Sequence, residues 1–215
     1  MGIKERKERE RRRRSNAIRK AAKKIIREKG VEGLTMNQVA ELTELNKATL
    51  YSYFDNKDDL IDAIVYDGLV LLEKRLEESD RKSASGLEEV MNLTRETLDF
   101  YRKYPAYFYA LNHQERRGSR EERETPFSVK GDEMASRIFG RMRGSIGRGI
   151  EDRSIRREVD SNRFLVLFFA YTYGVMHTVI SKQDVYVDIL GLSPEEVERS
   201  GLEVLQYFLE RGERR

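Results

Sequence analysis

The sequence predicts an all-α protein, and three observations predict it. Helix caps recur along the whole chain, all three prolines stand where a helix could begin, and no segment alternates apolar and polar residues for long enough to compete as a strand. The one candidate strand, 185–189, is short. A length of 215 residues suits one or two domains, and the caps and apolar stripes divide it into about nine helices.

Residues 4–14 hold eight basic and three acidic side chains and nothing to bury, so they read as a frayed helix or a disordered arm. Ile18, Ala21, Ala22, Ile25 and Ile26 then form one helical stripe that stops at Gly30, a favourable C-cap, and predict a helix over 15–29. Thr35 and Gln38 make a capping box for a helix over 36–43. Asn46 and Asn56 are N-caps for helices over 47–53 and 57–80. Ser85 and Glu88 repeat the box ahead of 86–103. Pro105, Pro126 and Pro194 open helices over 105–117, 126–150 and 194–211, because the N–H a proline lacks has no partner at the first helical position. Thr125, and Ser193 with Glu196, strengthen two of those starts. The apolar run beginning at Phe164 gives a helix over 161–182, and the polar stretch 117–125 is a loop. The domain reading is a basic arm over 1–14, a first domain over 15–60 and a second over 61–215.

Composition excludes several classes. There is no cysteine, which removes disulfides and thiolate metal sites and fits a reducing cytoplasm. No run of about 18 apolar residues is free of polar groups, which argues against a membrane span. The charged N-terminus has no apolar segment behind it and does not read as a secretory signal. The net charge of +3 is unevenly divided. Residues 1–57 carry 16 Lys and Arg against 8 Asp and Glu, a net +8, and residues 58–215 carry 25 against 30, a net −5. A polyanion partner for the front end and a merely solvated tail both fit that asymmetry.

The two short helices over 36–43 and 47–53, about three residues apart, have the dimensions of a helix-turn-helix. Val39, Leu42, Leu45, Leu50 and Phe54 are expected to face inward, with Ala40 small where the helices cross. The second helix then exposes Lys47, Ala48, Thr49, Tyr51, Ser52 and Tyr53. Such a face suits a major groove: lysine donates to guanine or phosphate, and alanine or threonine meets a thymine methyl. Tyrosine hydroxyls and Lys57 suit phosphate oxygens. An ordinary helical hairpin with a charged face is the other reading of this spacing.

At these residues the chain resembles a known family. Residues 30–40 (GVEGLTMNQVA) and 46–60 (NKATLYSYFDNKDDL) are similar to the DNA-binding domain of TetR-family transcriptional regulators, over about residues 15–65. The resemblance implies three DNA-binding helices followed by a larger helical domain that binds an effector and dimerises. It implies double-stranded operator DNA as partner, with Thr35, Tyr51, Tyr53 and Lys57 on phosphates and Asn46, Lys47, Ala48 and Thr49 near bases. One departure is Glu44, at a turn position that is usually glycine in the family. A left-handed backbone there costs a non-glycine residue about 1–2 kcal/mol, so the turn is expected to differ slightly.

In the second domain the helix over 161–182 is apolar nearly all round and must be covered on two sides. A domain core supplies one side and a partner subunit, in the family resemblance, the other, with 194–211 alongside. A wholly intramolecular core is the alternative. Aromatics crowd 100–109 and could line a cavity for an apolar or aromatic small molecule; Tyr107, Phe108, Leu111 and Phe168 are the candidate lining residues. The helix over 57–80 would transmit the signal. His113 and His177, the only histidines, lack a second ligand at i, i+4 and read as structural. The glycine-rich stretch 140–149 lacks the Gly-Lys-Ser/Thr of a phosphate loop and reads instead as close packing by small residues at i and i+4, with the later glycines ending the helix. No cofactor, metal or catalytic group is expected. The expected function is a ligand-responsive homodimeric repressor of a palindromic operator. The alternatives are an activator, or a helical small-molecule-binding protein or enzyme whose basic front end meets RNA or membrane.

Overall fold

The computed structural model describes residues 2–79, 83–117, 124–181 and 189–210. They form helices α1 (Ile3–Lys29), α2 (Met36–Thr43), α3 (Lys47–Tyr51), α4 (Lys57–Ser79), α5 (Gly86–Lys103), α6 (Pro105–Glu115), α7 (Pro126–Glu151), α8 (Ser161–Ser181) and α9 (Pro194–Leu209), and no strand is found among them. The candidate strand 185–189, apart from Ile189, and residues 118–123 of the polar loop lie outside the described residues. By packing, the chain divides into two units: Met1–Leu69 with Tyr104–Glu133, and Val70–Lys103 with Met134–Arg215. The segment holding α6 therefore belongs with the N-terminal helices, a division that differs from a cut at residue 60.

In the first unit, α1 starts at residue 3 and not at 15. The expected arm and the first helix are a single helix. Gly2 N–H donates to Glu5 Oε2 at 3.0 Å, and Arg14 reaches back to Glu10 at 2.9 Å, the i, i+4 spacing that supports a helix with nothing to bury. Further along, Ile18, Ala22, Ile25 and Ile26 are buried as expected. They share a core with Leu34, Val39, Leu50, Phe54, Leu60, Ile61 and Ile64.

Helix α6 packs on α1. Lys23 Nζ donates to the Tyr107 hydroxyl at 2.7 Å and lies 4.7 Å from the centre of its ring. The same ring lies against Gly68 of α4, where a Cβ would stand 2.9 Å from it. Asp62, fully buried on α4, accepts from Arg117, from Gln114 Nε2 at 2.9 Å and from Thr125 Oγ1 at 2.9 Å. Burial pushes its carboxyl above the ordinary range, and the bonds from Thr125, Arg117 and Gln114 pull the other way. Removing one partner of such a buried pair costs about 3–5 kcal/mol, so this cluster ties both ends of the loop after α6 to α4.

In the second unit α5, α8 and α9 pack together. The α5 start is built against the α7 end: a Cβ on Gly86 would overlap the Gly149 backbone, Gly86 N–H donates to Asp152 at 2.7 Å, and Leu87 N–H donates to Ser154 at 3.0 Å. This corrects the sequence reading of 140–149. Gly140 and Gly147 face open space, the helix runs on to Glu151, and close packing falls to Gly149 alone of these glycines, against Ile155 and Gly86. The α8–α9 crossing is set by Gly201, buried under Val175 and Tyr171, whose hydroxyl donates to the Gly201 carbonyl at 2.9 Å.

Between α2 and α3 the backbone turns through Glu44 at φ 54°, ψ 30°, so the left-handed turn is kept despite the missing glycine. Glu44→Gly is expected to raise stability by about 0.5–1 kcal/mol. Relief of about 1–2 kcal/mol of left-handed strain is partly offset by glycine's larger unfolded-state entropy, about 0.5–1 kcal/mol. Thermal unfolding of the two proteins checks this, with Glu44→Val moving the midpoint the opposite way because a β-branched residue tolerates positive φ least.

Candidate nucleic-acid interface

The α2–α3 unit is assembled from caps and one shared core. Thr35 and Gln38 close a reciprocal box, with Gln38 N–H donating to Thr35 Oγ1 at 3.3 Å and Thr35 N–H to Gln38 Oε1 at 3.2 Å. Asn46 Oδ1 accepts from Thr49 N–H at 2.7 Å and starts α3. Val39, Ala40, Leu50 and Phe54 are buried, as their pattern predicts, and Leu45 is half-buried. Leu42 is not: half its surface is exposed. At about 100° per residue it stands roughly 110° from the stripe of Met36, Val39, Ala40 and Thr43, so the inward assignment of Leu42 is corrected by helix phase.

Lys47, Ala48, Tyr51 and Ser52 are exposed, and Thr49 and Tyr53 half-buried. The helix itself stops at Tyr51, two residues early, and Ser52 and Tyr53 form the turn. Thr35 and Asn46 are exposed, but their side-chain oxygens already serve as caps. Lys57 is half-buried at the start of α4, where Asn56 Oδ1 caps Asp59 N–H at 2.9 Å. Asp59 in turn accepts from Asp55 N–H at 3.1 Å; burial raises its carboxyl above the usual range and that bond opposes the shift.

Sequence reasoning missed Arg11. Its guanidinium lies 5.4 Å from the centre of the Tyr53 ring, and Nη2 donates to the Ser52 carbonyl at 3.4 Å. The signal was present: Arg11 stands seven residues before Ile18, two helical turns back on the buried stripe.

The proposed effector residues are divided between the units. Tyr107 and Phe108 are buried and Leu111 half-buried on α6, in the first unit. Phe168 is in the second, where it borders an open apolar groove of about 350 Å3 with Phe164, Leu167, Tyr171, Val204 and Phe208, between α8 and α9. Helix α8 has two faces. Phe164, Leu165, Phe168, Thr172, Met176 and Val179 are buried, whereas Val166 is 70% and Leu167 58% exposed, and on α9 Val204 is 58% and Tyr207 86% exposed. Ser161–Ile180 is long and apolar enough to cross a membrane by length and composition, although it packs in its unit as a core helix on one side. His113 lies 3.4 Å from Asp58 and 3.8 Å from Glu32, and His177 stacks on Tyr173. Among the described residues no group of three or more His, Cys, Asp or Glu is placed to hold a metal ion.

No curated protein matches the sequence. Solved structures do. The regulator FadR from Bacillus subtilis in complex with stearoyl-CoA is 18% identical, covers 90% of this chain and 98% of its own, and superposes with a TM-score of 0.70. AibR in complex with isovaleryl coenzyme A and operator DNA is 18% identical over 89% of this chain and 97% of its own, with a TM-score of 0.69. The TetR family regulator PfmR from Thermus thermophilus is 22% identical over 90% and 99%, with a TM-score of 0.58. At these identities the likeness establishes the fold. Residues 18–64 match the family described as bacterial regulatory proteins, tetR family, and they are the residues of the capped helix-turn-helix described above. Residues 18–64 thus carry the DNA-binding domain of the tetR family of bacterial regulatory proteins, and the chain as a whole has the fold of TetR-family regulators.

Proposed function

We propose that the protein is a homodimeric repressor that binds a palindromic operator overlapping a promoter in the cytoplasm and is released by a small apolar effector, without catalysing a reaction. In this reading residues 15–60 bind DNA, and residues 61–215 dimerise and respond to effector. The observation that carries it is α3, whose Leu50 is fully buried while Lys47, Ala48 and Tyr51 remain exposed. Lys47, Ala48 and Thr49 read base edges and Tyr51, Tyr53 and Lys57 hold phosphates, with Thr35 and Asn46 adding contacts through atoms their caps leave over. The exposed apolar face of α8 and α9 supports the dimer: Val166, Leu167, Val204 and Tyr207 gain a dry environment only against a second copy of the same surface.

Regulation is supported by the way α6 is wired. Tyr107 grips Lys23 of α1 and lies on Gly68 of α4, so a ligand that displaces α6 disturbs both helices that hold α2 and α3. The ligands of FadR and AibR make an acyl-CoA the first compound class to test. Pull-down of genomic DNA with sequencing tests the function directly: the expected result is a palindrome inside promoters, and sites lying only upstream of them would make the protein an activator.

Lys47→Ala should lower operator affinity and relax base preference by about 1–3 kcal/mol, whereas Tyr51→Phe should weaken all duplexes alike; binding titrations on operator and scrambled duplexes separate the two. The pair Leu167→Glu and Val204→Glu should yield a folded monomer by sedimentation velocity and lose tight operator binding, since linked heads gain about 100-fold or more from effective concentration. An acyl-CoA series should contain a compound that raises the unfolding midpoint and releases operator. By linkage, operator must weaken that compound's binding by the same factor, which calorimetry with and without DNA measures.

A further inference from the structure

Helix α1 changes its chemistry along one face without changing phase. At about 100° per residue, Ile18, Ala22 and Ile25 lie in a single stripe, all buried in the first unit. Carried back towards the N-terminus at the same phase, that stripe passes through Arg14, Arg11, Lys7 and Lys4, all exposed. The face that packs on the helix-turn-helix in one half of α1 is cationic in the other.

The neighbour of the cationic half is the end of α3. Arg11 touches the Ser52 carbonyl and the Tyr53 ring, and Arg14, held above its ordinary range chiefly by Glu10, is also drawn by Tyr53. Lys7 and Lys4 stand about one and two turns beyond Arg11, at 5.4 Å per turn. Of the acids in this segment, Glu5 accepts from Gly2 about 140° from the stripe, and Glu10, which accepts from Arg14, and Glu8 flank it at about 80° on either side. The stripe is therefore a row of cations whose first member is anchored on a residue read as a phosphate contact.

We propose that residues 4–14 are a rigid second DNA-binding element, in which Lys4, Lys7 and Arg11 neutralise phosphates of the duplex flanking the half-site that α3 reads. The inference rests on α3 being the recognition helix. Residues 4–14 span about 15 Å at 1.5 Å each, which is about four base-pair steps at 3.4 Å, so each half-site footprint extends outward by that much. A lipid surface is the weaker fit. An interfacial helix needs apolar side chains to insert, and residues 4–14 contain none. Because the element is a helix, the cations are not interchangeable: those on the stripe meet DNA, and those on the far side, Arg6, Arg9 and Arg13, point elsewhere.

The test uses the full-length protein and two duplexes recovered by selection on it, one of about 40 base pairs and one trimmed to the half-site edges. The triple Lys4→Gln/Lys7→Gln/Arg11→Gln is compared with Arg6→Gln/Arg9→Gln/Arg13→Gln, which removes the same charge from the other side. On the long duplex the first triple should reduce the slope of log K against log salt by about 2–3 per protomer, about 5 for a dimer, at about 0.9 per contact, and the second by less than about 1 per protomer. On the trimmed duplex the two should agree. Glu8→Pro, which keeps every cation and breaks the helix, should behave like the first triple, and circular dichroism confirms that all variants fold. Equal losses from both triples would show a flexible arm and overturn the proposal. So would unchanged slopes, or phosphatidylserine vesicles competing better than duplex for the wild-type segment. Failure of the underlying reading looks different: selective binding that survives Lys47→Ala with Tyr51→Phe removes α3 from the interface, whatever the triples do.

Discussion

A helix of five residues has no stability of its own, because the first turn fixes several dihedrals for a single hydrogen bond. Helix α3 is that short, and everything proposed for its outer face depends on its inner one. Leu50 and Phe54 are buried among Val39, Leu34 and the α1 and α4 isoleucines, and Asn46 holds the first turn. Burying a leucine and a phenylalanine fully stabilises by about 1.5–3 kcal/mol each, several times what one cap supplies. The position of Lys47 and Tyr51 is thus a consequence of the packing of Leu50 in the same helix. Glu44 shows how firmly that packing dictates the backbone. The turn adopts a left-handed conformation that its residue disfavours, while Leu50 beyond it stays fully buried.

The same core is coupled to α6 through polar contacts that tolerate little adjustment. Asp62 is fully buried with three donors, two of them on α6 and the segment just after it, and Lys23 and Tyr107 link α6 to α1. His113 faces Asp58 and Glu32, one at the start of α4 and the other in the α1–α2 connection. Apolar contacts slide at small cost, whereas a buried carboxylate that loses a donor incurs the desolvation penalty of the unpaired group. A displacement of α6 is therefore passed to α1 and α4 and not absorbed locally. In the proposed function this coupling is what carries the effect of a ligand on α6 to the helices that hold α3.

How much of this was legible in the sequence depended on whether the deciding interaction was local. Caps and stripes are local, so the order of helices, the buried Val39, Leu50 and Phe54 and the exposed Lys47 and Tyr51 followed directly. Leu42 departs from its pattern because helix phase, and not hydrophobicity, decides which side of α2 it occupies. For residues 4–14 a frayed helix and a disordered arm both stayed open because they offer nothing to bury, and their helix rests on Glu10–Arg14 and on continuation from the packed half. The placement of α6 beside α1 rests on Lys23, Gly68 and Tyr107, residues up to 84 apart in sequence. Nothing in their spacing announces it. Gly149 likewise shows its role only once Gly86 lies against it.

Affinity and selectivity are assigned to different parts of the first unit, for a physical reason. Cations along α1 act on phosphates, which every duplex presents alike, so they raise affinity without preference and lose strength as salt screens them. In the proposed reading Lys47, Ala48 and Thr49 act on base edges, where a mismatched donor leaves a desolvated group unpaired. A rigid joint between the two, Arg11 on Tyr53, makes each dependent on the other's register. A flexible arm would find phosphates wherever α3 lies, and would hold the protein on wrong sequences as well as right ones. A helical one fixed to the end of α3 gains its phosphates only where the groove places them, so the sequence-independent contacts are made in full when the sequence-dependent ones are.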